Sequence, residues 1–326
     1  MKVTAKDVAL HAGTSVSAVS RAFRPQSSLS TEMRQRILRT AATMGYTIPA
    51  QRLAAKSGSN TISLVVGDVL NPFYPSILEE FASAVLGSGM LLDLHVVPKG
   101  ESVDSVMAHV FNQRPSAVVV TSATLSSALA EHCMKKGIPV VLFNRVQINT
   151  AVSAVCCDNY AGAQQVANHL LSKGYRKIAF VGGVKNTSTH LERWRGFEDR
   201  MTQAEMPVFR SVSGQFDYET SFDAVRDLLT NDVPPDAVFC ANDIMAFAAI
   251  DAAKSIGLCI PDDLAIVGFD DVPMAAWRSY RLTTVRQRIR LMVKDTLTLI
   301  SQLIEDPGAT GTIRITPGHL IERDTT

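Results

Sequence analysis

The stretch "VTAKDVALHAGTSVSAVSRAF", Val3 to Phe23, carries the start and stop signals of two short helices. Thr4 followed by Asp7 fits a capping box, in which a hydroxyl and an acid three residues on each satisfy a backbone N–H orphaned by the first turn. Val8 and Ala12 share one helical face, with Ala9 beside them. Gly13 supplies the backbone freedom for a tight turn. Ser15 then caps a second helix, in which Val16, Val19 and Phe23 recur at three- and four-residue spacing. Val8, Ala12 and Val19 are expected to bury between the two helices, their small side chains permitting close approach. Ser15, Ser17, Ala18, Ser20 and Arg21 are expected to face outward. A third amphipathic segment, capped by Ser30, has Met33, Ile37, Leu38, Ala41 and Met44 as its apolar stripe. Arg34, Arg36 and Arg39 form its wet side.

Short donors plus one guanidinium on an exposed helix suit entry into a DNA major groove. The segment therefore reads as a helix-turn-helix with a supporting third helix. Charge supports this. Residues 1–60 hold nine Lys/Arg against two acids, about +7, which leaves about −6 on the remainder of a chain whose formal total is +1. A basic head on an acidic body points to a polyanionic partner for the head alone.

The 326 residues, 46% of them hydrophobic, are enough for two or three packed domains. No apolar run approaches the ~18 residues that span a membrane, and Met1 to Asp7 lack a signal-peptide core. The five cysteines (Cys133, Cys156, Cys157, Cys240 and Cys259) form no C-x-x-C pair and no His cluster accompanies them. They read as reduced, mostly buried small hydrophobes, so the expectation is a cytoplasmic protein with no metal and no cofactor.

From Thr61 onward, β-branched runs such as "TISLVV", "LLDLHVV", "SAVVVT", "PVVLF" and "AVSAVCC" alternate with helical segments. The pattern restarts with "KIAFVGG", "AVFCAND" and "DLAIVGFDD". Continuous apolar strands with helical crossovers imply buried parallel sheets, here in two successive blocks. Ligands of such sheets bind beyond the carboxyl ends of strands. Those positions are rich in polar planar groups: Asp68 and Asn71 to Tyr74, Thr121 and Ser122, Asn144 and Arg145, Asp158 and Asn159, Arg193, Asn242 and Asp243, Asp270 and Asp271. Asp158, Asp243 and Asp271 could equally serve as helix caps.

The opening stretch, followed by "LSTEMRQRILRTAATMGY", resembles the DNA-binding headpiece of the LacI/GalR repressor family at Val3, Thr4, Asp7, Val8, Ala9, Ala12, Gly13, Ser15, Val19, Ser20, Arg21, Gly45 and Tyr46. In the body, N-P-F-Y, N-R, R-x-x-G-F, A-N-D and G-F-D-D followed by L-T-T-V-R-Q match the same family's effector domain in order. The resemblance implies an α/β protein with two-subdomain, periplasmic-binding-protein-like parallel sheets and an N-terminal all-α headpiece. Its expected divisions are a headpiece at 1–47, a hinge at 48–60 and an effector and dimerisation domain at 61–326. Within the last, the N-subdomain is about 61–157 plus 287–312, and the C-subdomain about 158–286 plus 313–326.

The resemblance implies DNA contacts from Thr4, Ser15, Val16, Ser17, Ser20, Arg21 and Arg24. Ala18 and Arg24 depart from the family's usual Thr and Asn, so its operator does not carry over. The piece Ala50 to Lys56 resembles a hinge helix, two residues early, with Leu53 as the minor-groove wedge because Ala55 is too short to unstack a base step. Effector contacts are implied for Asn71, Phe73, Asn144, Arg193, Asn242 and Asp270, with Phe216 at the lip and Gln287 at a strand crossing. Asn144 stands where the family often has Asp, leaving Arg145 less neutralised, which favours an anionic effector unless another acid pairs with it. The implied partners are double-stranded operator DNA, a second copy of the chain, and a small polar effector such as a sugar, sugar acid or nucleoside. An enzyme is the rival reading, but no G-x-S-x-G elbow, P-loop or G-x-G-x-x-G is present.

Overall fold

A computed structural model describes residues 3–23, 29–44, 46, 60–98, 100–121, 136–147, 152–306 and 311–326. Three helices come first: α1 (Ala5–His11), α2 (Val16–Ala22) and α3 (Thr31–Thr43). They close on a core of Val8, Ala9, Ala12, Ala18, Val19, Ala22, Ile37 and Ala41. The Thr4–Asp7 capping box forms in full, with the Thr4 N–H donating to Asp7 Oδ2 at 2.7 Å. Ser15 and Ser30 accept from the backbone N–H groups of Ala18 and Met33. Ala18 differs from expectation: it is buried. Helical periodicity turns 18, 19 and 22 inward together, and Ala at the first of these lets neighbouring helices approach. Arg34 is half-buried rather than wet, because its Nε donates to the Ala22 carbonyl at 2.9 Å and ties α3 to the end of α2.

The body follows as β1 (Thr61–Val66), α4 (Phe73–Leu86), β2 (Leu91–Val96), α5 (Val103–Asn112), β3 (Ala117–Val120), β4 (Val140–Phe143) and β5 (Ser153–Cys157). Next come α6 (Asn159–Ser172), β6 (Ile178–Gly182), α7 (Ser188–Gln203), β7 (Arg210–Ser213), α8 (Tyr218–Leu229), β8 (Ala237–Cys240), α9 (Asp243–Ser255) and β9 (Ala265–Asp270). A 3₁₀ turn (Pro273–Ala276), β10 (Thr283–Arg286), α10 (Ile289–Glu305), β11 (Ile313–Thr316) and β12 (His319–Ile321) complete the chain. Among the described residues, the strands form two six-stranded sheets, ordered β11-β5-β4-β3-β1-β2 and β12-β10-β9-β8-β6-β7, and all pairings are parallel except β10 with β12. The central strands are buried along their length apart from Thr61 at the start of β1, as Val-, Ile- and Ala-rich strands covered by helices on both faces require.

The chain passes between the sheets three times. It crosses after β5, returns after β10 into α10, which packs on α4, β4 and β5, and crosses again between β11 and β12. Residues 313–316 therefore differ from the expected division. They pair in parallel with Ala154–Cys157 and extend the first sheet, so the last crossing falls at 317–318. Among the described residues, no helix is long and apolar enough to cross a membrane.

Close packing in the second unit rests on α6 against α7, where a Cβ on Gly196 would lie 2.2 Å from the Tyr160 carbonyl oxygen. Gly196→Ala is therefore expected to destabilise this unit by about 1–3 kcal/mol through overpacking against backbone. The measurement is the urea midpoint followed by tryptophan fluorescence; an unchanged midpoint contradicts the packing described.

Candidate functional site

On α2, Ser15, Val16, Ser17, Ser20 and Arg21 are exposed together, with Val16 45% accessible despite its aliphatic side chain. Ser15 and Ser17 share a hydroxyl hydrogen bond of 2.9 Å, and Arg21 Nε donates to the Ser17 carbonyl at 3.4 Å. The outcome is a face of short side chains with one long cation on a helix whose other side is locked into the headpiece core. Thr4 caps α1. Arg24 and Leu53, the remaining two expected DNA contacts, lie outside the described residues.

The second site lies at the carboxyl ends of the strands, where the two sheets face each other. A cavity of about 590 Å³ is bordered by all seven expected effector residues: Asn71, Phe73, Asn144, Arg193, Phe216, Asn242 and Asp270. Local structure explains why these residue types stand there. Asn71 Oδ1 accepts the Phe73 N–H at 3.1 Å, forming the turn that starts α4 and seating Phe73 in the wall. Asn242 is the N-cap of α9, its Oδ1 taking the Met245 N–H at 3.1 Å. Gln215 and Phe216 both have positive φ (56° and 58°), and the Phe216 ring lies over Gly183, where any Cβ would collide with it.

Arg193 organises the floor. It is 2% exposed, with Nε donating to Asn159 Oδ1 at 2.8 Å, one terminal nitrogen donating to the Ala241 carbonyl, and the other to Asp270 Oδ1 at 3.2 Å. Its guanidinium carbon sits 3.7 Å from the Phe269 ring centroid. Of the five guanidinium N–H groups three are thus used, leaving donors for a bound molecule. Asp270 also accepts from Gln287 Nε2 at 2.7 Å, which links the cavity floor to the second crossing of the chain.

Of the three acids that could have been caps, only Asp158 is one, accepting the Ala161 N–H at 2.9 Å. Asp243 instead receives the Val272 N–H at 2.9 Å and the Thr284 hydroxyl at 2.6 Å, binding α9 to β9 and β10. Asp271 is held by Arg286 and Arg323.

Side chains beyond the seven also border the cavity, among them Tyr74, Arg145, Thr189 and Gln215. Asn144 and Arg145 follow the end of β4, and the strand's alternation continued past Phe143 would send them to opposite sides. The φ of +60° at Asn144 breaks that alternation, and Asn tolerates this conformation better than most residues. An Asn directly after a buried apolar strand was the available signal.

Burial pushes the Asp243 carboxyl up to about 8, reinforced by the charge of Asp270; burial likewise raises Asp270 to about 6, against the pull of Arg193. Both lie above the ordinary value of 3.8, so the folded chain holds protons that the unfolded chain releases. The stabilisation from these protons is full below pH ~4 and is lost as pH rises through about 6 and then about 8. The melting temperature of the wild type should accordingly fall relative to Asp243→Asn between pH 5 and pH 9. A pH-independent difference contradicts this.

Comparison with known proteins places these features. Residues 4–48 match the family described as bacterial regulatory proteins, lacI family, and residues 167–326 match the periplasmic binding protein-like domain. The chain is 31% identical over 303 residues to the HTH-type transcriptional regulator DegA of Bacillus subtilis, covering 90% of this chain and 88% of that one. It is 30% identical over 322 residues to the HTH-type transcriptional regulator GalS of Salmonella typhimurium, covering 97% and 93%. Among solved structures, the transcriptional regulator CelR–cellobiose complex superposes with a TM-score of 0.74 at 26% identity, each chain covered in full.

Proposed function

The chain belongs to the lacI family of bacterial regulatory proteins, DNA-binding transcriptional regulators rather than enzymes, and from that premise we propose that it binds an inverted-repeat operator as a dimer, with an affinity set by a small polar effector in the cleft. The observation that carries this reading is the presence, in one chain, of an exposed reading helix and a 590 Å³ cavity walled by both sheets. A ligand that touches both walls favours their closed arrangement over an open one, and only such a difference in contacts shifts a conformational equilibrium. Val16 and Ser17 at the start of α2 and Arg21 one turn on are the base-reading side chains. One headpiece spans too few base pairs for useful specificity, and two related by a two-fold axis read two half-sites.

The effector is a polyhydroxylated small molecule. Asn, Arg and Asp groups converge on the cavity with Phe73 and Phe216 beside them, a mixture that pairs hydroxyls bidentately while rings cover an apolar face. The CelR relative in complex with cellobiose supports this class. Coupling of cleft to headpiece is typically ~1–3 kcal/mol, read as a change in operator affinity on adding ligand.

Operator selection from random duplexes, followed by binding at fixed salt, tests the reading. Arg21→Ala should cost about 1–3 kcal/mol on the selected duplex and far less on random DNA, as for a lost base contact. Arg39→Ala, an exposed cation on α3, should weaken both duplexes alike, as a phosphate contact does. Equal losses on both duplexes for Arg21→Ala contradict the assignment.

A further inference from the structure

The cavity holds two arginines in opposite states. Arg193 is neutralised by Asp270 and spends three donors on protein. Arg145, half-buried on the facing wall, forms no ion pair with any carboxylate among the described residues. Its position is fixed from both sides. The left-handed backbone at Asn144 aims it inward, and the next residue, Val146, donates its N–H across the cleft to Ser188 Oγ at 2.9 Å.

Arg145 lies beside the hydroxyl of Tyr74, a buried residue, and both side chains border the cavity. That hydroxyl forms no hydrogen bond with any described residue, so its O–H is left to give. Burial raises the Tyr74 pKa; the next largest influence is the downward pull of Arg145, ahead of the upward pushes of Asp68 and Asp270. A guanidinium charge therefore stands beside this hydroxyl although acids border the cavity. Those acids are otherwise engaged or wet. Asp68 is exposed and takes the Leu70 N–H, Glu101 is exposed, and Asp217 caps α8 by accepting from both the Thr220 N–H and hydroxyl. Beside this corner, Asn144 Oδ1 is buried with no donor among the described residues.

We propose that the effector carries an anionic group, a carboxylate or a phosphate, received by the Arg145 guanidinium and the Tyr74 hydroxyl, while Asn144 takes a neighbouring hydroxyl. This rests on the reading of the cleft as an effector site. A guanidinium fork and a phenol O–H bordering the same cavity match the acceptor oxygens of such a group, and charge-assisted bonds of this kind are roughly twice as strong as neutral ones.

The test is calorimetric titration of the full chain with D-glucose, D-glucuronate and glucose 6-phosphate, and with D-galactose, D-galacturonate and galactose 6-phosphate. At least one acid or phosphate should bind tenfold or more tightly than its neutral parent, a difference of about 1.4 kcal/mol. The form that binds identifies the anionic group. Arg145→Gln should erase the preference, Arg145→Lys retain part of it, and Tyr74→Phe weaken it by a smaller factor, all three variants melting within a few degrees of the wild type. A neutral sugar bound as tightly as its acid and phosphate, an Arg145→Gln variant that binds the anion undiminished, or a panel in which no anion binds overturns the proposal. Operator binding separates the two readings. A neutral sugar that shifts operator affinity leaves the regulator standing and removes the anionic effector. An Arg145-dependent anion with no effect on operator affinity does the reverse.

Discussion

A guanidinium buried to 2% exposure is the constraint around which the effector domain is arranged. Leaving Arg193 unpaired in that environment would cost several kcal/mol, so its charge must be met by acceptors from the chain. The acceptors come from three places in the chain: Asn159 after β5, Ala241 after β8 and Asp270 at the end of β9. Satisfying one side chain thus gathers three strand ends, and the cavity is the space left above them. Phe269 beneath the guanidinium completes the enclosure.

The polar residues at these strand ends serve two purposes. Asn71 and Asn242 each use one oxygen to start a helix and border the cavity as well. Asp270 accepts from Arg193 on the cavity floor and from Gln287, which stands where the chain returns to the first sheet. A molecule competing for Asp270 or Arg193 therefore acts on a group bonded directly to a crossing segment. That is a contiguous physical link between ligand and inter-sheet geometry, of the kind needed to turn binding into a change in the relation of the two sheets.

Much of this was legible in the residues. β1 to β6, β8 and β9 announce themselves as short apolar runs, most of them leading into Asn, Asp or Gly, and their carboxyl ends pointed to the cleft. β7, "RSVS", carries one aliphatic residue and sits half-exposed at a sheet edge, so it gives no such signal. The membership of β11 turned on which sheet a four-residue strand joins, and pairing partners are not encoded in local pattern. Ala18 was placed outward because alanine suits either face of a helix; burial follows from the crossing of α2 with its neighbours. Asn144 was legible as a departure from the family that leaves Arg145 less neutralised, but the alignment of the two on one wall depends on a positive φ that composition does not reveal.

The most direct test of the gathering role of Arg193 is a double-mutant cycle on the unfolding of the effector domain, with Arg193→Met, Asp270→Leu and the two combined. The account predicts that each single change costs about 3–5 kcal/mol by stranding a buried charge, and that the double variant recovers most of the loss because apolar side chains replace both members. Additive losses, with the double variant as unstable as the sum of the singles, would show that the pair does not act as a unit and would contradict the account.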